Sequence, residues 1–524
     1  MLEKIKKYMV YLVLLITIFV LFINSSYQSL NRFSKTRYVV NNEVKEIRNN
    51  IVYDNSYIYI SYEDMEHQIP DNIFKESALK KIIITANNKV KVYSLDSKES
   101  YTNYTLDNEN NIVKYLSYDG KDYILLDELC SIYGFDKIVD KELNMINVIN
   151  SEVQIAKLNC YREYGYLTDN NKSKRITLDR KIVLNVVKDD NYYSETADMV
   201  CAVVEVDNIK RAVYIPKKSI DMDFEYKTEE IEKKEFKFFV QNEDNLNTNT
   251  EYTTIFTGFK LISNDGSVSN VLDANSLGAN TYVMITNGYR ASNYDSGITS
   301  YALQNMASRE RIITEVTNTI KDTKVEGIVV NFRDFKVSSK EYFTQFIKEL
   351  SEYLHGYNKK LIVYIPIDAL YIDELSVLKF ADNCIFIEYG LKSENSITSG
   401  ADSPLYLFKE KIDYLNENNV NISKVIMETP LYSLLWIEKE QKVIDVQYLY
   451  KAALDSFISK NSLVPVLDEK SGQMYVAYEK GSLMYKVWLE DDYSLNQKIK
   501  IAKDNMIGGI SLYKKGYEKN DLFL

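Results

Sequence analysis

Histidine and cysteine, the side chains that most often bind transition metals, are scarce in this sequence. Only two histidines, His67 and His355, and four cysteines occur in 524 residues. No two cysteines have the C-x-x-C spacing that is common in zinc sites. Cys160 and Cys201 fall in one short segment and could form a disulfide, but scattered buried thiols are the interpretation we favour. The sequence therefore predicts no metal site and no cofactor.

Basic residues are outnumbered by acidic ones, 64 to 75. The formal net charge is −11 and the isoelectric point is near 5.1. Nucleic-acid phosphates need a basic surface, so we expect no nucleic-acid partner. The hydrophobic fraction of 45% is that of a globular protein. Proline is rare, with 6 residues against 44 tyrosines. Because tyrosine is so common here, a lone surface tyrosine is not by itself a ligand platform.

One long apolar run lies near the start of the chain. Residues 8–23 are almost wholly apolar, and three lysines precede them. Positive charge before an apolar run holds the N-terminus in the cytoplasm and sends the chain after the run across the membrane. We therefore expect an uncleaved signal anchor over residues 1–27, and a single-pass protein of the cell membrane whose bulk is extracytoplasmic. A cleaved signal peptide is the alternative, although residues 24–26 make a poor cleavage site.

A sequence pattern repeats between residues 37 and 150. The segment Tyr59-Ile-Ser-Tyr-Glu-Asp-Met65 matches Tyr123-Ile-Leu-Leu-Asp-Glu-Leu129, and later apolar positions repeat at the same spacing. The pattern predicts two α+β units, 37–93 and 94–150. They resemble the stalk module named after the N-terminal domain of copper amine oxidase, which implies a spacer or a wall-contacting module. No histidine cluster is present to hold copper.

Residues 151–222 read as short strands, and residues 223–235 as a charged linker. The segment Ala212-Val-Tyr-Ile-Pro-Lys-Lys218 resembles the end of bacterial Src-homology-3-like barrels. That resemblance implies a small all-β module. Contact with peptidoglycan and a role as a packing spacer both stay open for it.

Strand-like and helical stretches alternate in residues 236–524, which predicts a parallel sheet covered by helices. Eight strands over this length indicate an α/β TIM-type (β/α)8 barrel. The expected strands are Phe236–Val240, Thr253–Leu261, Thr281–Thr286, Gly327–Phe332, Lys360–Ile365, Asn383–Glu388, Val425–Glu428 and Gly508–Leu512.

The expected fourth strand resembles the D-G-x-D-x-D-x-E motif of glycoside hydrolase family 18. On that motif the chain has Glu326, Gly327, Val329, Asn331 and Arg333. Five further segments match the family in order, and they look most similar to its spore-germination and cortex-lytic branch. These segments are 257–266, 383–390, 425–436, 487–498 and 508–516.

The resemblance implies substrate-assisted hydrolysis, in which a glutamate protonates the leaving oxygen. Here Arg333 occupies that position, and Asn331 and Val329 replace the two inner aspartates. A guanidinium cannot act as a general acid near neutral pH. Gly390 also replaces an aspartate of the family, and Tyr513 replaces a tryptophan. We therefore expect no catalytic residues in the motif and a non-catalytic binder of peptidoglycan or another N-acetylated glycan.

Two other functions stay open. One is an active glycoside hydrolase whose acid has moved, with Asp334 or Glu428 as the candidate. The other is a structural protein of the cell envelope or spore with no glycan site.

The expected glycan site consists of residues near the carboxyl ends of the barrel strands. Aromatic faces suit pyranose rings, although ordinary barrel packing explains the same aromatics. Arg333 is expected to form a buried ion pair with Glu428, or alternatively to face solvent and hold a carboxylate. The candidate binding residues are Tyr389, Tyr432, Trp436, Tyr513, Asn331 and Arg333.

The expected anchor generates a direct test. Mass spectrometry of the membrane fraction should recover peptides from residues 1–27, because the apolar run lacks a good cleavage site. A mature N-terminus near Ser26 would contradict an uncleaved anchor.

Overall fold

The computed structural model describes residues 37–513 apart from 41–42, 46–50, 55–56, 69–71, 98, 108–113, 142–143, 151–152, 168–174, 188–197, 222–235, 243–251, 291–292, 391 and 394. The expected anchor, 1–27, and the expected linker, 223–235, lie outside the described residues. Within the described part, no helix is both long enough and apolar enough to cross a membrane. The chain divides into two compact units, one of residues 1–87 and 91–230 and one of residues 88–90 and 231–524.

Two copies of one arrangement occur in residues 52–150, and each is a hairpin, a short helix and a second hairpin. In the second hairpins Ile73 faces Ile84 and Lys137 faces Val148, so equivalent partners lie 64 positions apart. The first copy comprises Val52–Asp54, Tyr57–Ser61, Tyr62–Gln68, Ile73–Glu76 and Lys81–Ala86, and the second comprises Tyr115–Tyr118, Lys121–Leu125, Leu126–Tyr133, Phe135–Asp140 and Met145–Asn150.

The first hairpins of the two copies join in one four-stranded sheet. Tyr59 pairs with Leu125 and Ser61 pairs with Tyr123, so each copy presents the same strand to the other. Ile60, at the centre of this pairing, is fully buried in a core that both copies share. Tyr59 and Tyr123, which begin the repeated sequence pattern, therefore occupy equivalent positions.

Further strands extend the two copies. Arg37–Val40 pairs in parallel with Met145–Asn150 and antiparallel with Glu43–Lys45. The N-terminal strands thus lie on the second copy, whereas the sequence grouping 37–93 placed them with the first. The first copy is extended instead by Lys89–Ser94, Ser100–Thr102 and Thr105–Leu106.

Residues 153–221 form one seven-stranded antiparallel sheet. Its longest hairpin turns at Asp207 and Asn208, both with positive φ, as a two-residue type I′ turn requires. Leu178 and Leu184 are fully buried in its core. The strands are Val153–Leu158, Arg162–Tyr166, Arg175–Asp179, Leu184–Val187, Met199–Val206, Ile209–Pro216 and Ile220–Asp221. Cys160 and Cys201 are free thiols, so the possible disulfide is not formed.

The second unit contains a closed barrel of eight parallel strands, which confirms the TIM-type prediction. Closure comes from the first strand, where Phe239 pairs with Thr253 of the second strand and with Ser511 of the last. The strands agree with the expected ones to within two residues. In chain order they are Lys237–Asn242, Thr253–Leu261, Thr281–Thr286, Gly327–Asn331, Lys360–Pro366, Asn383–Ile387, Val425–Pro430 and Gly509–Tyr513.

Gly327 begins the fourth strand because the neighbouring backbone leaves no room for a side chain. A Cβ at this position would lie 1.9 Å from the carbonyl oxygen of Lys360 on the fifth strand, and close backbone approach is a common reason for glycine in a strand. The barrel helices are Ser296–Gln304, Met306–Ile320, Lys340–His355, Glu374–Phe380, Leu405–Glu417 and Asp492–Asp504, and the short strands of this unit are Val268–Asn270, Gly288–Arg290 and Asn293–Tyr294.

An antiparallel five-stranded sheet is inserted between the seventh and eighth barrel strands. It was not predicted from the sequence, because this region was assigned only to barrel motifs. Its strands and helix are Tyr432–Lys439, Lys442–Tyr450, Lys451–Lys460, Val466–Asp468, Gln473–Lys480 and Leu483–Leu489. The strand that starts at Tyr432 leaves the barrel directly after the seventh strand, so it places its side chains beside the carboxyl ends of the barrel strands.

Arg309 and Glu349 form a fully buried ion pair between two barrel helices. The guanidinium contacts both carboxylate oxygens, at 3.3 and 3.2 Å, and also donates to the carbonyl of Leu303 at 2.8 Å. Gln345 donates to the same carboxylate at 2.9 Å. A buried charge needs such compensation, so this pair fixes how the helices pack.

Arg309→Met should therefore destabilise the barrel by about 3–5 kcal/mol, because Glu349 would be left as a buried unpaired charge. Arg309→Met with Glu349→Leu should recover part of that loss. The measurement is urea unfolding followed by fluorescence, since both tryptophans lie in this unit. Arg311→Met is the matched control, because Arg311 is exposed on the same helix and should cost less than about 1 kcal/mol. Equal losses for the two single variants would contradict this account.

Candidate functional site

Alternate side chains of the fourth barrel strand project into the barrel and continue to its carboxyl end. Val329 is buried in the barrel core with Met284 and Ile362. The Nδ2 atom of Asn331 lies 3.4 Å from the sulfur of Met284. Arg333, two residues further on, donates from Nε to Oδ1 of Asn331 at 2.8 Å. The three residues on the motif positions thus lie in one column. The column ends at the carboxyl end of the barrel strands, which we call the barrel mouth.

Asn287, directly after the third strand, fixes the backbone of Arg333. Its Oδ1 accepts from the Arg333 amide at 2.9 Å, and its Nδ2 donates to the Arg333 carbonyl at 2.7 Å. The same Nδ2 lies 2.8 Å from the hydroxyl of Thr299. Asn287 was not identified from the sequence. The one signal that could have indicated it is its position directly after a barrel strand. Because the contact is to backbone, it positions whatever side chain residue 333 carries.

The guanidinium of Arg333 is half-buried among tyrosines. Its carbon lies 5.6 Å from the ring centroid of Tyr294, within cation–π range. Burial alone would lower the pKa of Arg333, but interactions with Tyr294, Tyr389 and Glu428 raise it above its ordinary value. Arg333 is therefore a permanent cation at the barrel mouth.

Glu428 lies inside the barrel, where hydroxyl groups surround its carboxylate. It accepts hydrogen bonds from Tyr389 at 2.7 Å, from Tyr364 at 2.8 Å and from Ser511 at 2.9 Å. Burial raises the pKa of Glu428, and these hydrogen bonds act against that rise. The residue Glu428 is 1% exposed, so solvent does not reach its carboxylate.

The expected ion pair between Arg333 and Glu428 is wrong in its geometry. Within the part of the chain that the structure describes, no direct ion pair joins them, and each instead bonds to neutral groups. Side-chain parity correctly directs both toward the barrel axis, but it does not fix their depth. Arg333 follows the end of its strand, whereas Glu428 lies level with Ser511 inside the sheet. They interact only as nearby charges.

Tyr389 and Tyr513 lie at the barrel end where they were expected. The ring of Tyr389 belongs to the interior core, and its hydroxyl is committed to Glu428. Tyr513, the last residue of the eighth strand, is half-buried and packs against the same core. Both rings therefore line the bottom of the barrel mouth and do not form a free surface on which a sugar could stack.

Trp436 was expected to contribute a ring to the glycan site, but the structure corrects this because the side chain is buried. Trp436 is fully buried and donates from Nε1 to the carbonyl of Gly400 at 3.0 Å. It lies on the inserted sheet, where it packs beneath the loop that follows the sixth barrel strand. Tyr432 remains half-buried and meets Tyr448 edge to face, with centroids 5.1 Å apart. Tyr448 is 44% exposed, so it supplies the accessible ring that Trp436 does not.

Asp402 places a carboxylate beside Gly390, where sequence reasoning found none. Its Oδ1 accepts from the amides of Gly390 at 3.0 Å and Lys392 at 3.3 Å, and its Oδ2 accepts from Tyr432 at 3.3 Å. Burial raises the pKa of Asp402 to about 6. It comes from a loop twelve residues further along the chain, and no motif marks it.

Two other acids considered from the sequence lie outside this cluster. Asp334 is exposed, and its positive φ of 55° turns the chain away directly after Arg333. Glu326 lines a hollow at the opposite end of the barrel, together with Lys237, Lys360 and Asp382. No group of three or more His, Cys, Asp or Glu that could hold a metal occurs among the described residues.

The family-like segment 487–498 is explained by packing. Lys498 is fully buried and contacts both oxygens of Glu490 at 3.0 Å, the hydroxyl of Ser403 at 2.7 Å and that of Thr429 at 2.8 Å. Burial lowers the pKa of Lys498, while Glu490 raises it in part. This ion pair ties the last helix to the seventh strand and to the loop that carries Asp402.

A closed barrel of eight parallel strands with polar side chains gathered at their carboxyl ends defines a TIM-barrel protein whose site lies at that end. The chain belongs to glycosyl hydrolases family 18, whose sequence profile matches residues 226–518, more than half of the chain. It is similar to the uncharacterized glycosylase YvbX of Bacillus subtilis, with 23% identity over 256 residues, 46% of this chain and 73% of that protein.

Solved structures with a similar fold include two enzymes of bacteria. A chitinase from Chromobacterium violaceum is 17% identical, with a TM-score of 0.48 over 55% of this chain and 96% of that chain. The spore cortex-lytic enzyme SleL of Bacillus megaterium is 15% identical, with a TM-score of 0.47 over 59% of this chain and 75% of that chain.

The buried carboxyl of Asp402 makes barrel stability depend on pH. Its pKa is raised from 3.8 to about 6, so the folded state binds the proton more tightly than the unfolded state. The stabilisation is complete below about pH 4 and is lost as pH rises through about 6, a loss of up to roughly 3 kcal/mol. Urea unfolding followed by tryptophan fluorescence from pH 4 to 7 should show this fall.

Asp402→Asn should flatten that part of the profile. Asp413→Asn is the matched control, because Asp413 is exposed on the helix Leu405–Glu417, and it should leave the profile unchanged. Burial also raises the pKa of Glu388, to about 7, so some pH dependence should persist above pH 6. An Asp402→Asn profile identical to that of the unmodified protein would remove Asp402 from this explanation.

Proposed function

We propose that this protein binds a glycan at the barrel mouth without hydrolysing it. The resemblance of the fourth strand to the family motif puts Arg333 at the position of the proton donor, and the observation that supports the proposal is that Arg333 bonds to Asn331 at the barrel mouth. A guanidinium remains protonated throughout the working pH range, and its pKa is too high for it to transfer a proton to a leaving oxygen. Membership of glycosyl hydrolases family 18 supports a glycan as the ligand.

The neighbouring residues support loss of hydrolysis as well. Substrate-assisted catalysis needs side chains that orient the acetamido group of the sugar. Asn331 is turned toward Arg333 and Met284, and the hydroxyl of Tyr389 is donated to Glu428. Residue 390 has no side chain. Groups that would otherwise contact the sugar are therefore committed to one another.

The alternative is an active hydrolase with a relocated acid, and each candidate meets a physical objection. Glu428 is sealed from solvent by three hydroxyl donors. Asp334 is exposed beyond the turn that ends the strand. Asp402 has a pKa near 6, which suits an acid, but its oxygens hold two backbone amides and Tyr432. Each would have to give up these contacts, or take a new position, to protonate a substrate.

The setting we propose is the cell envelope, with an anchor over residues 1–27 and the barrel outside the membrane. Peptidoglycan or another N-acetylated glycan is then the ligand within reach. The repeated units and the seven-stranded sheet act in this proposal as spacers or as secondary wall contacts. A purely structural protein without a glycan site is the remaining possibility, and a binding experiment distinguishes it.

The full-length protein in mild detergent should be retained on insoluble peptidoglycan or chitin and should release no products detectable by mass spectrometry. The loss of a general acid typically costs about 10²–10⁴-fold in rate. Retention without products supports the proposal, and absence of retention on both polymers would favour a structural protein.

Asp334→Asn and Glu428→Gln separate binding from chemistry in the same assay. If the unmodified protein released products and one of these variants did not, that acid would be catalytic and the proposal would fall. Arg333→Glu should not create hydrolysis, because Val329, Asn331 and Gly390 are unchanged.

A further inference from the structure

The guanidinium of Arg333 has hydrogen-bonding capacity that the protein does not use. A guanidinium carries five N–H donors, and Nε is taken by Asn331. Among the described residues, the terminal nitrogens of Arg333 donate no hydrogen bond and form no ion pair. Neither nitrogen is among the buried unpaired atoms, so solvent reaches them. The two terminal nitrogens form the fork that recognises a carboxylate with two parallel hydrogen bonds.

The carboxylates near the mouth do not compensate this cation directly. Glu428 lies deeper and is bonded to three hydroxyls. Asp402 is engaged by two backbone amides and by Tyr432. Asp334, adjacent in sequence, points to solvent after a turn. A half-buried cation without a bonded counter-ion attracts an anion from outside.

Two tyrosines lie near this cation. The ring of Tyr294 faces the guanidinium at 5.6 Å. Tyr371, which follows the fifth strand, is half-buried and packs edge to face on Phe335 at 4.6 Å. A tyrosine presents both a ring face and a hydroxyl, which suits a sugar ring with polar edges. The arrangement therefore combines a carboxylate acceptor site with surfaces for a pyranose.

We propose that the barrel mouth selects glycans that carry a carboxylate on the sugar, with Arg333 as the residue that binds it. The lactyl group of N-acetylmuramic acid in peptidoglycan has this chemistry, whereas neutral chitin does not. This inference rests on the proposed function and specifies its ligand. It also gives Arg333 a role that goes beyond the loss of the family's acid.

Isothermal titration calorimetry of the full-length protein with three disaccharides tests the inference. The first is N-acetylglucosaminyl-N-acetylmuramic acid without peptide, the second is its lactyl methyl ester, and the third is di-N-acetylchitobiose. The free acid should bind about tenfold to a hundredfold more tightly than the ester or chitobiose, because only the acid forms charge-assisted hydrogen bonds. Its affinity should fall as salt is raised.

Arg333→Met should reduce the affinity for the acid to that for the ester. Arg333→Lys should retain part of the preference, because it keeps the charge and loses the fork. Arg311→Met is the control, since Arg311 is already paired with Asp265 and Glu315 on the outer surface, and it should bind as the unmodified protein does. If Arg333→Met fails to fold, the comparison of acid with ester on the unmodified protein still decides the question.

The remaining outcomes separate the two proposals. Equal binding of all three disaccharides would overturn carboxylate selection and leave glycan binding intact. Binding of none of them by folded protein that also fails to bind insoluble glycan would overturn both. Binding of a peptide-bearing fragment but not of the peptide-free acid would place the recognised carboxylate in the peptide, and would overturn selection through the sugar.

Discussion

A carboxylate inside the barrel constrains the groups above it. Glu428 has no access to water, and such a charge is tolerated only when donors surround it. Those donors are the hydroxyls of Tyr364, Tyr389 and Ser511, on or just after the fifth, sixth and eighth strands. Three strands thus commit their inward polar groups to one acceptor. Tyr389 has a single hydroxyl proton, so it cannot donate a hydrogen bond to Glu428 and to a ligand at the same time.

The arrangement at the mouth follows from that commitment. Because hydroxyls satisfy Glu428, Arg333 is not drawn down into the barrel and bonds instead to Asn331, two residues before it. Asn287 holds the Arg333 backbone from both sides, so the side chain is directed from a rigid base. The result is a cation with two uncommitted nitrogens at the end of the barrel where TIM-barrel sites lie. In our two proposals one side chain, Arg333, accounts both for the absence of hydrolysis and for the binding of a carboxylate.

Much of the fold could be predicted from the sequence, and the failures have definite physical causes. The eight barrel strands were predictable because buried parallel strands are continuous apolar runs bounded by helices. The alternation of side chains along a strand correctly placed Val329, Asn331 and Arg333 on the inner side of the barrel. Alternation does not say how deep in the barrel a side chain lies, so the expected pairing of Arg333 with Glu428 was wrong. Trp436 was misplaced because a motif match could not reveal that the chain leaves the barrel at Tyr432. Asp402 could not be found, because its neighbours in space are distant in sequence.

The pairing between the two N-terminal copies has a consequence for assembly. Tyr59 meets Leu125 and Ser61 meets Tyr123, a reciprocal exchange that is the signature of an isologous, two-fold interface. Covalent linkage has therefore made one chain into what is geometrically a homodimer. Each copy covers the self-complementary strand of the other, so Tyr57–Ser61 and Lys121–Leu125 are not open to pairing with a neighbouring molecule. The pairing strand of each copy is therefore satisfied within one chain, as it would be between the two subunits of a dimer.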